Sequence, residues 1–339
     1  MSMAAIPPVN RCSTDFVFGC LYPNQLGETH MRDQSEQKIA VVGGGLMGHG
    51  IAYLLAAAGH KVAVFEPAAE IRASLAARLQ AIVDLLEDDP APLQRIEAHD
   101  TLAPAMQGAA FVFEAAPEKL PLKQQIFAEL EKFTAPDTIL ASNSSAIPST
   151  EIGRHLAHRE RVIGTHFWNP PHLVPLVEVV QNEKTSDDVV RRTMELLRHA
   201  GKTPVHVRRD VPGFVGNRLQ HAMKREAIAL VAAGVCDAET IDTVVRAGFG
   251  ARTAVLGPME QSDLVGTNLT LDIAEVLYAD LDRTPGPHPF LRELVAAGKL
   301  GMKTGEGLRK WTPEQADAVR MRLSRFLAEQ AKARKKELA

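Results

Sequence analysis

Residues 38–48 read Lys-Ile-Ala-Val-Val-Gly-Gly-Gly-Leu-Met-Gly, and Glu66 follows eighteen residues after Gly48. This stretch decides the fold. Its first five residues are a short β-branched run, the pattern of a buried strand. Residues 46–58 are Ala-rich and helical in period, and Gly59 closes them. Residues 61–65 form a second apolar run that ends at Glu66. A glycine turn between strand and helix gives each glycine its own task. Gly43 permits the tight turn, Gly45 lets the backbone approach a pyrophosphate seated on the helix N-terminus, and Gly48 lets helix and strand pack closely. Leu46 and Met47 complete the turn. An acid at the end of the second strand accepts ribose hydroxyls and repels a 2′-phosphate. The pattern therefore predicts a dinucleotide site that takes NAD in preference to NADP. The plainer alternative is a glycine-rich turn with no ligand.

The alternation continues outward. Residues 109–113, 138–141, 161–165, 175–180 and 203–207 read as further strands, with helical segments between several of them. That order predicts an α/β fold with a mostly parallel, doubly wound sheet of Rossmann type, covered on both faces. After Arg209 the character changes, and helical segments are predicted over 212–233, 238–247, 258–278, 289–297 and 313–335. Pro212 suits the first turn of a helix. The expected organisation is a loose tail over 1–35, a nucleotide-binding domain over 36–210 and an all-α domain over 211–339. The tail has scattered Pro, Asn, Ser and Cys and lacks the basic start and apolar stretch of a secretory signal. Met31, just ahead of the first strand, is an alternative start.

Composition excludes several classes. With 45% hydrophobic residues the chain is not disordered as a whole. A formal net charge of −3 leaves no electrostatic footprint for nucleic acid. No apolar run reaches the roughly 18 residues of a membrane span. The cysteines are Cys12, Cys20 and Cys236, without a CxxC pair, so neither a disulfide scaffold nor a zinc site is expected. A reduced, cytoplasmic setting without a bound metal fits best.

Four further motifs carry polar chemistry. In Glu114-Ala-Ala-Pro-Glu118, followed by Lys123, Pro117 and Glu118 suit a helix start after a strand ending at Phe113. Taken alone, that is a helix N-terminus with a solvated salt bridge. Ser142-Asn143-Ser144-Ser145 falls at the C-terminal end of a predicted parallel strand, the edge where open α/β sheets bind ligands; a hydrogen-bonded turn is the equal alternative. His166, in Gly164-Thr-His166-Phe-Trp-Asn169-Pro-Pro-His172, ends a strand on the same edge, and Glu178 lies on the next strand twelve residues later. A carboxylate behind an imidazole fixes its tautomer and raises its basicity, as a general base near neutral pH requires. The competing reading is a satisfied buried histidine. Among twelve histidines this one has the strongest case, and His172 lines the same edge without an assigned role. Asn217, in Asp210-Val-Pro-Gly213-Phe-Val-Gly-Asn217, opens the helical part. Its amide either donates to a substrate carbonyl or caps backbone groups.

In order along the chain, the glycine turn, E-A-A-P-E, S-N-S-S, H-F-W-N-P, P-L-V-E-V-V, P-G-F-V-G-N-R-L, G-P-M-E-Q-S-D-L-V-G and K-L-G-M-K-T-G-E-G resemble the 3-hydroxyacyl-CoA dehydrogenase family over about residues 38–310. The resemblance implies an NAD-dependent dehydrogenase with an N-terminal Rossmann domain and a helical C-terminal dimerisation domain, hence a homodimer. By position, His166 matches the family's catalytic base, Glu178 its partner, Ser145 a hydroxyl near substrate and nicotinamide, and Asn217 the amide that positions the substrate carbonyl. Gly43, Gly45, Leu46, Met47, Gly48, Glu66, Glu118, Lys123, Asn143, Asn169 and Lys303 match cofactor-contacting positions, although many members have Asp where Glu66 stands.

Two departures concern the substrate. Acyl-CoA members carry a longer, lysine-bearing helical hairpin after the second strand. Here residues 67–110 contain no lysine and include Asp84, Glu87, Asp88 and Asp89, so a CoA tail finds little positive charge. The stretch around Arg252 carries extra residues before Gly257-Pro258. Arg252 either pairs with a substrate carboxylate or is a surface arginine. Both features are similar to the branch acting on free hydroxy acids, which includes gulonate 3-dehydrogenase with lambda-crystallin, carnitine dehydrogenase and a pyridine-carboxylate dehydrogenase of vitamin B6 breakdown. The expected activity is oxidation of a hydroxyl β to a carboxyl or thioester carbonyl, with the free acid preferred. The alternatives are a short-chain L-3-hydroxyacyl-CoA dehydrogenase and, outside enzymes, a crystallin-like or NAD-sensing protein, whose mark would be a lost base.

Overall fold

A computed structural model describes residues 36–338. The tail read over 1–35, with Cys12, Cys20 and Met31, lies outside the described residues. The strands β1 (Lys38–Val42), β2 (Lys61–Phe65), β3 (Ile96–His99), β4 (Phe111–Glu114), β5 (Ile139–Ser142), β6 (Val162–Phe167), β7 (Leu176–Val180) and β8 (Thr203–Val207) make one sheet in the order 3-2-1-4-5-6-7-8. Every neighbouring pair is parallel except β6 with β7. The chain leaves β1 for β2 on one side and returns to β4 on the other. The glycine turn therefore sits at the point where strand order reverses, the place where such sheets take ligands. Strand β3 is not among the predicted strands. It is four residues long, Ile-Glu-Ala-His, pairs only with β2 at the sheet edge and is partly exposed, too short to show a period.

Alternation along each strand divides the core into two layers. Ile39, Val41, Val62, Val64, Phe113 and Ile163 pack on one side, against α1 (Gly48–Ala57) and α2 (Ala69–Leu86). Ala40, Val42, Ala63, Val112, Leu140 and Val162 pack on the other. That second layer takes in Ala105 and Met106 of α3 (Leu102–Met106), Phe127 and Leu130 of α4 (Leu120–Phe133) and Ile152 of α5 (Ser149–Ile152). Helix α6 (Asp187–His199) adds Val189, Leu196 and Leu197 to the first layer. It is capped by the Ser186 hydroxyl, which accepts from the Val189 amide, and its charges follow the helix dipole, with Asp187 and Asp188 first and Arg198 and His199 last.

The rest is helical: α7 (Gly216–Ala232), α8 (Ala238–Ala247), α9 (Gly250–Thr253), α10 (Pro258–Val265), α11 (Thr267–Leu277), α12 (Pro289–Ala296) and α13 (Pro313–Leu338). Two expectations are corrected. The helix expected from Pro212 starts at Gly216, because Gly213 and Phe214 both have positive φ, 75° and 50°, and turn the chain first. The helix expected over 258–278 is two helices, broken at Gly266, whose φ is 96°.

Packing divides the described residues into one unit of 36–219 with 324–338 and a second of 220–323. In the first, the last turns of α13 join the fold: Ala328 is buried, Lys332 pairs with Glu87, and Lys335 with Asp88, which also accepts from the Tyr53 hydroxyl. In the second, Ala316 is the one buried hydrophobic side chain among the described residues. No described helix is long and apolar enough to cross a membrane.

Candidate active site

The glycine turn shows which of its glycines the chain itself demands. Gly43 has φ +96°, and a Cβ there would lie 2.9 Å from the Ala115 carbonyl oxygen. A Cβ at Gly48 would collide with the Gly43 carbonyl, so bare backbone lets α1 close on the turn. Gly45 differs: a Cβ there would meet nothing within 4 Å. Internal packing gives no reason for glycine at 45, whereas a ligand approaching the backbone does. Leu46 beside it is 67% exposed, and Met47 stands at the N-cap position of α1 without a side-chain capping bond. At the end of β2 the buried Glu66 carboxylate accepts from the amides of Gly44 and Ala68, each at 2.9 Å. These residues fit a dinucleotide: an open backbone cradle at a helix start, with a carboxylate at the neighbouring strand end.

The antiparallel pairing of β6 and β7 sets His166 directly opposite Glu178. The two side chains meet at 2.8 Å, Nδ1 to Oε2, and both are buried. Glu178 is a junction, since its Oε1 accepts from the amides of Val215 and Gly216 at the start of α7, both at 2.9 Å. Burial pushes the Glu178 carboxyl up, but the hydrogen bonds from His166, Gly216 and Val215 outweigh it, and the carboxyl lies below its ordinary range. An ionised Glu178 holds the Nδ1–H tautomer, which leaves the lone pair on Nε2. The imidazole centroid lies 5.5 Å from those of the Trp168 and Phe214 rings, both tilted against it. No cluster of described His, Cys, Asp or Glu side chains is placed to hold a metal ion.

The Glu114–Lys123 segment corrects the expectation of a solvated salt bridge. Lys123 is 1% exposed; its Nζ contacts Glu114 Oε1 at 2.7 Å and Glu118 Oε2 at 3.4 Å. Ser142 donates to the other Glu114 oxygen. Glu118 is not a helix-start residue either, because α4 begins at Leu120. Its Oε1 instead accepts from the Ser144 hydroxyl at 2.6 Å and the amides of Ser145 and Ala146 at 2.9 and 3.0 Å. Burial opposes ionisation of Glu118, yet these donors and Lys123 hold its carboxyl below the usual range. Asn217 Nδ2 donates to the Ser145 carbonyl at 2.9 Å, so this loop is gripped by a carboxylate and an amide. Ser145 itself is exposed, while Asn143 is buried and accepts from the Phe167 amide, tying the end of β5 to that of β6.

The first unit thus brings together His166, Glu178, Ser145, Asn217, Asn143, Glu118 and Lys123. Asn169 follows β6 and is exposed. Arg252 and Lys303 belong to the second unit and are exposed there. Sequence reasoning missed Glu114, Trp168, Phe214 and the Val215 and Gly216 amides. The pairing of an acid with a lysine nine residues on was the available signal for Glu114.

A Rossmann sheet with an open glycine cradle and a buried His–Glu pair at its C-terminal edge defines an NAD-dependent dehydrogenase site. The sequence profile of the 3-hydroxyacyl-CoA dehydrogenase NAD binding domain matches residues 38–211, and that of the C-terminal domain matches 213–311. The chain belongs to the 3-hydroxyacyl-CoA dehydrogenase family, whose members are NAD-dependent oxidoreductases. It is 38% identical to the 5-formyl-3-hydroxy-2-methylpyridine 4-carboxylate 5-dehydrogenase of Mesorhizobium japonicum, over 86% of this chain and 96% of that protein. It is also 38% identical to a probable 3-hydroxybutyryl-CoA dehydrogenase of Bacillus subtilis, over 80% of this chain and 96% of that one. A crystal structure of a 5-formyl-3-hydroxy-2-methylpyridine 4-carboxylic acid 5-dehydrogenase, described as an NAD+ dependent dismutase, superposes with TM-score 0.82 at 35% identity, covering 88% of this chain and 99% of that one.

Proposed function

We propose that the protein oxidises a hydroxyl β to a carboxyl group, with His166 as general base. The observation that carries this reading is the buried His166–Glu178 pair at 2.8 Å on the sheet's C-terminal edge. NAD, when bound, supplies the hydride acceptor. The glycine turn (Gly43, Gly45, Leu46, Met47, Gly48) and Glu66 hold it, and Asn143, Glu118, Lys123, Asn169 and Lys303 are carried as contacts by the resemblance. His166 Nε2 takes the hydroxyl proton, and ionised Glu178 stabilises the resulting imidazolium. Ser145, on the loop that Glu118 holds in place, and Asn217, in the first turn of α7, orient the substrate oxygens. Glu66 repels a 2′-phosphate, so kinetics with NADP as good as with NAD would refute that assignment.

Three features support a free acid over a CoA thioester. Residues 67–110 contain no lysine. Arg72, Arg78 and Arg95 in that segment are anchored on Glu66 and Pro67, on Gly44 and Ile71, and on Glu36 and Gly59. Arg252 is exposed, forms no ion pair among the described residues, and suits a substrate carboxylate. The identity to the Bacillus protein favours the second reading, a short-chain 3-hydroxyacyl-CoA dehydrogenase. A screen of β-hydroxy acids and 3-hydroxybutyryl-CoA, followed by NADH absorbance, separates the two. Turnover of acetoacetyl-CoA at micromolar concentration would sink the free-acid reading.

The helical unit supports a homodimer. Val276, Met259 and Leu264 are 74, 73 and 72% exposed, and with a single buried hydrophobic side chain the unit lacks a core to offset its ordering entropy. A second copy covering these side chains supplies one. The scarcity of cysteine supports a reduced, cytoplasmic setting.

A further inference from the structure

We propose that Glu66 is what excludes a 2′-phosphate from this protein, and that Arg72 and Arg78 already supply the cations such a phosphate needs. The inference rests on the reading of Glu66 as the ribose-binding residue. The Glu66 carboxylate behaves as an internal anion: Oε2 accepts from the Gly44 amide and Oε1 from the Ala68 amide, each at 2.9 Å. Two arginines of α2 converge on the same corner. Arg72 Nη1 donates to the Glu66 carbonyl at 2.8 Å, and Arg78 Nη2 to the Gly44 carbonyl at 2.8 Å. Gly44 is therefore held by Glu66 through its N–H and by Arg78 through its C=O. The Arg78 Nε–H is buried and has no partner among the described residues. Neither guanidinium reaches a carboxylate of the described residues within ion-pair distance; both rest on backbone carbonyls, which a phosphate outcompetes as an acceptor.

In this arrangement the side chain at 66 decides whether the corner already holds an anion of its own. With Glu66 present, a fixed carboxylate takes the Gly44 and Ala68 amides and offsets one of the two guanidinium charges, and a 2′-hydroxyl is the group that fits. With a small neutral side chain, the Gly44 and Ala68 amides lose their acceptor and the arginines face no fixed charge. A 2′-phosphate then supplies the missing anion and takes a bidentate contact from Arg78. Specificity for NAD is thereby carried by a single residue set against a background suited to the other cofactor, an instance of discrimination by repulsion.

The test is calorimetry on the full-length apo protein with 5′-AMP and adenosine 2′,5′-bisphosphate, which differ only in the 2′-phosphate. Wild type is expected to bind 5′-AMP the tighter. Glu66→Ser should reverse the order by at least about tenfold, and adding Arg78→Met should erase the reversal. Glu66→Gln keeps the shape and removes the charge; it covers the case in which the serine variant does not fold and should narrow the preference in the same direction. If Glu66→Ser weakens 5′-AMP without strengthening the bisphosphate, the arginine proposal is overturned and the ribose reading stands. If it changes neither affinity, the ribose reading itself is wrong.

Discussion

The two units handle apolar surface in opposite ways. In the Rossmann unit the six inner strands, β1, β2, β4, β5, β6 and β7, bury side chains on both faces, and Ile39, Val41, Leu55, Phe113 and Ile139 are fully enclosed. In the helical unit, helices of comparable apolar content bury almost nothing, and Leu271, Tyr278 and Val235 stand open to solvent. One unit closes its core within a single chain. The other is arranged to be closed by something else, which we read as its own copy. The glycine cradle and the His166–Glu178 pair sit in the unit that closes its own core.

The largest expected effect tests that division. Leu264→Asp with Val276→Asp places two charges on the exposed apolar side of the helical unit. The dimer should be lost, and with it folding of residues 220–323, seen as a monomer by light scattering and a thermal midpoint that no longer rises with protein concentration. A wild-type monomer at micromolar concentration would break the comparison outright.

Next in size is the base. His166→Ala should lower turnover by roughly 10²–10⁴-fold, the usual worth of a positioned acid–base group, with NAD binding by calorimetry nearly unchanged. Glu178→Gln should slow turnover as well, and the double variant should lose much less than the product of the two, because the pair acts as one unit. Loss of NAD binding in His166→Ala would move His166 from chemistry to cofactor support.

The buried ion pair gives an effect confined to the Rossmann unit. Lys123→Met leaves Glu114 buried opposite no cation, at a cost of about 3–5 kcal/mol in urea unfolding. Arg191→Ala, which removes an exposed pair with Asp188 and Glu195, should cost under about 1 kcal/mol. The Lys123 effect should be the same at all protein concentrations, whereas the interface effect is not.

What the sequence revealed follows the same division. Strands β1, β2 and β8 were legible to the residue because an apolar run between turn signals has few other readings. His166 and Glu178 were legible because their strands are adjacent, and an antiparallel return of twelve residues brings them opposite. Glu118 was misplaced at a helix start, since its partners Ser144, Ser145 and Ala146 come from a loop 26 to 28 residues away that no local pattern announces. Gly266 was read through because a single glycine within an apolar helical period does not reveal its φ.

The smallest effect concerns acid sensitivity and places it in the Rossmann unit. His172 follows β6, and its Nδ1 is buried against α1 without a partner among the described residues; a Cβ on Gly50 would come within 2.9 Å of it. Burial, with lesser contributions from His49 and Lys202, depresses its pKa from 6.5 to about 4. A base whose folded pKa is depressed binds its proton first in the unfolded chain. Stability should therefore be complete above pH 6.5, fall as pH drops toward 4, and level off below. His49 and His60 shift in the same direction and steepen the fall. Glu178, held below 4.5, loses its contribution at the acid end of this range, and Lys202, depressed to about 7, titrates above the window. Between pH 6.5 and about 5.5 the slope thus belongs to the histidines, and below that Glu118, Glu131 and Glu178, whose carboxyls are all held below 4.5, add to it. His172→Gln keeps a polar side chain there but cannot take up a proton, so urea unfolding at pH 4.5, 5.5 and 6.5 should give a shallower dependence than wild type. An unchanged slope would mean that His172 takes up its proton as readily in the folded chain as in the unfolded one.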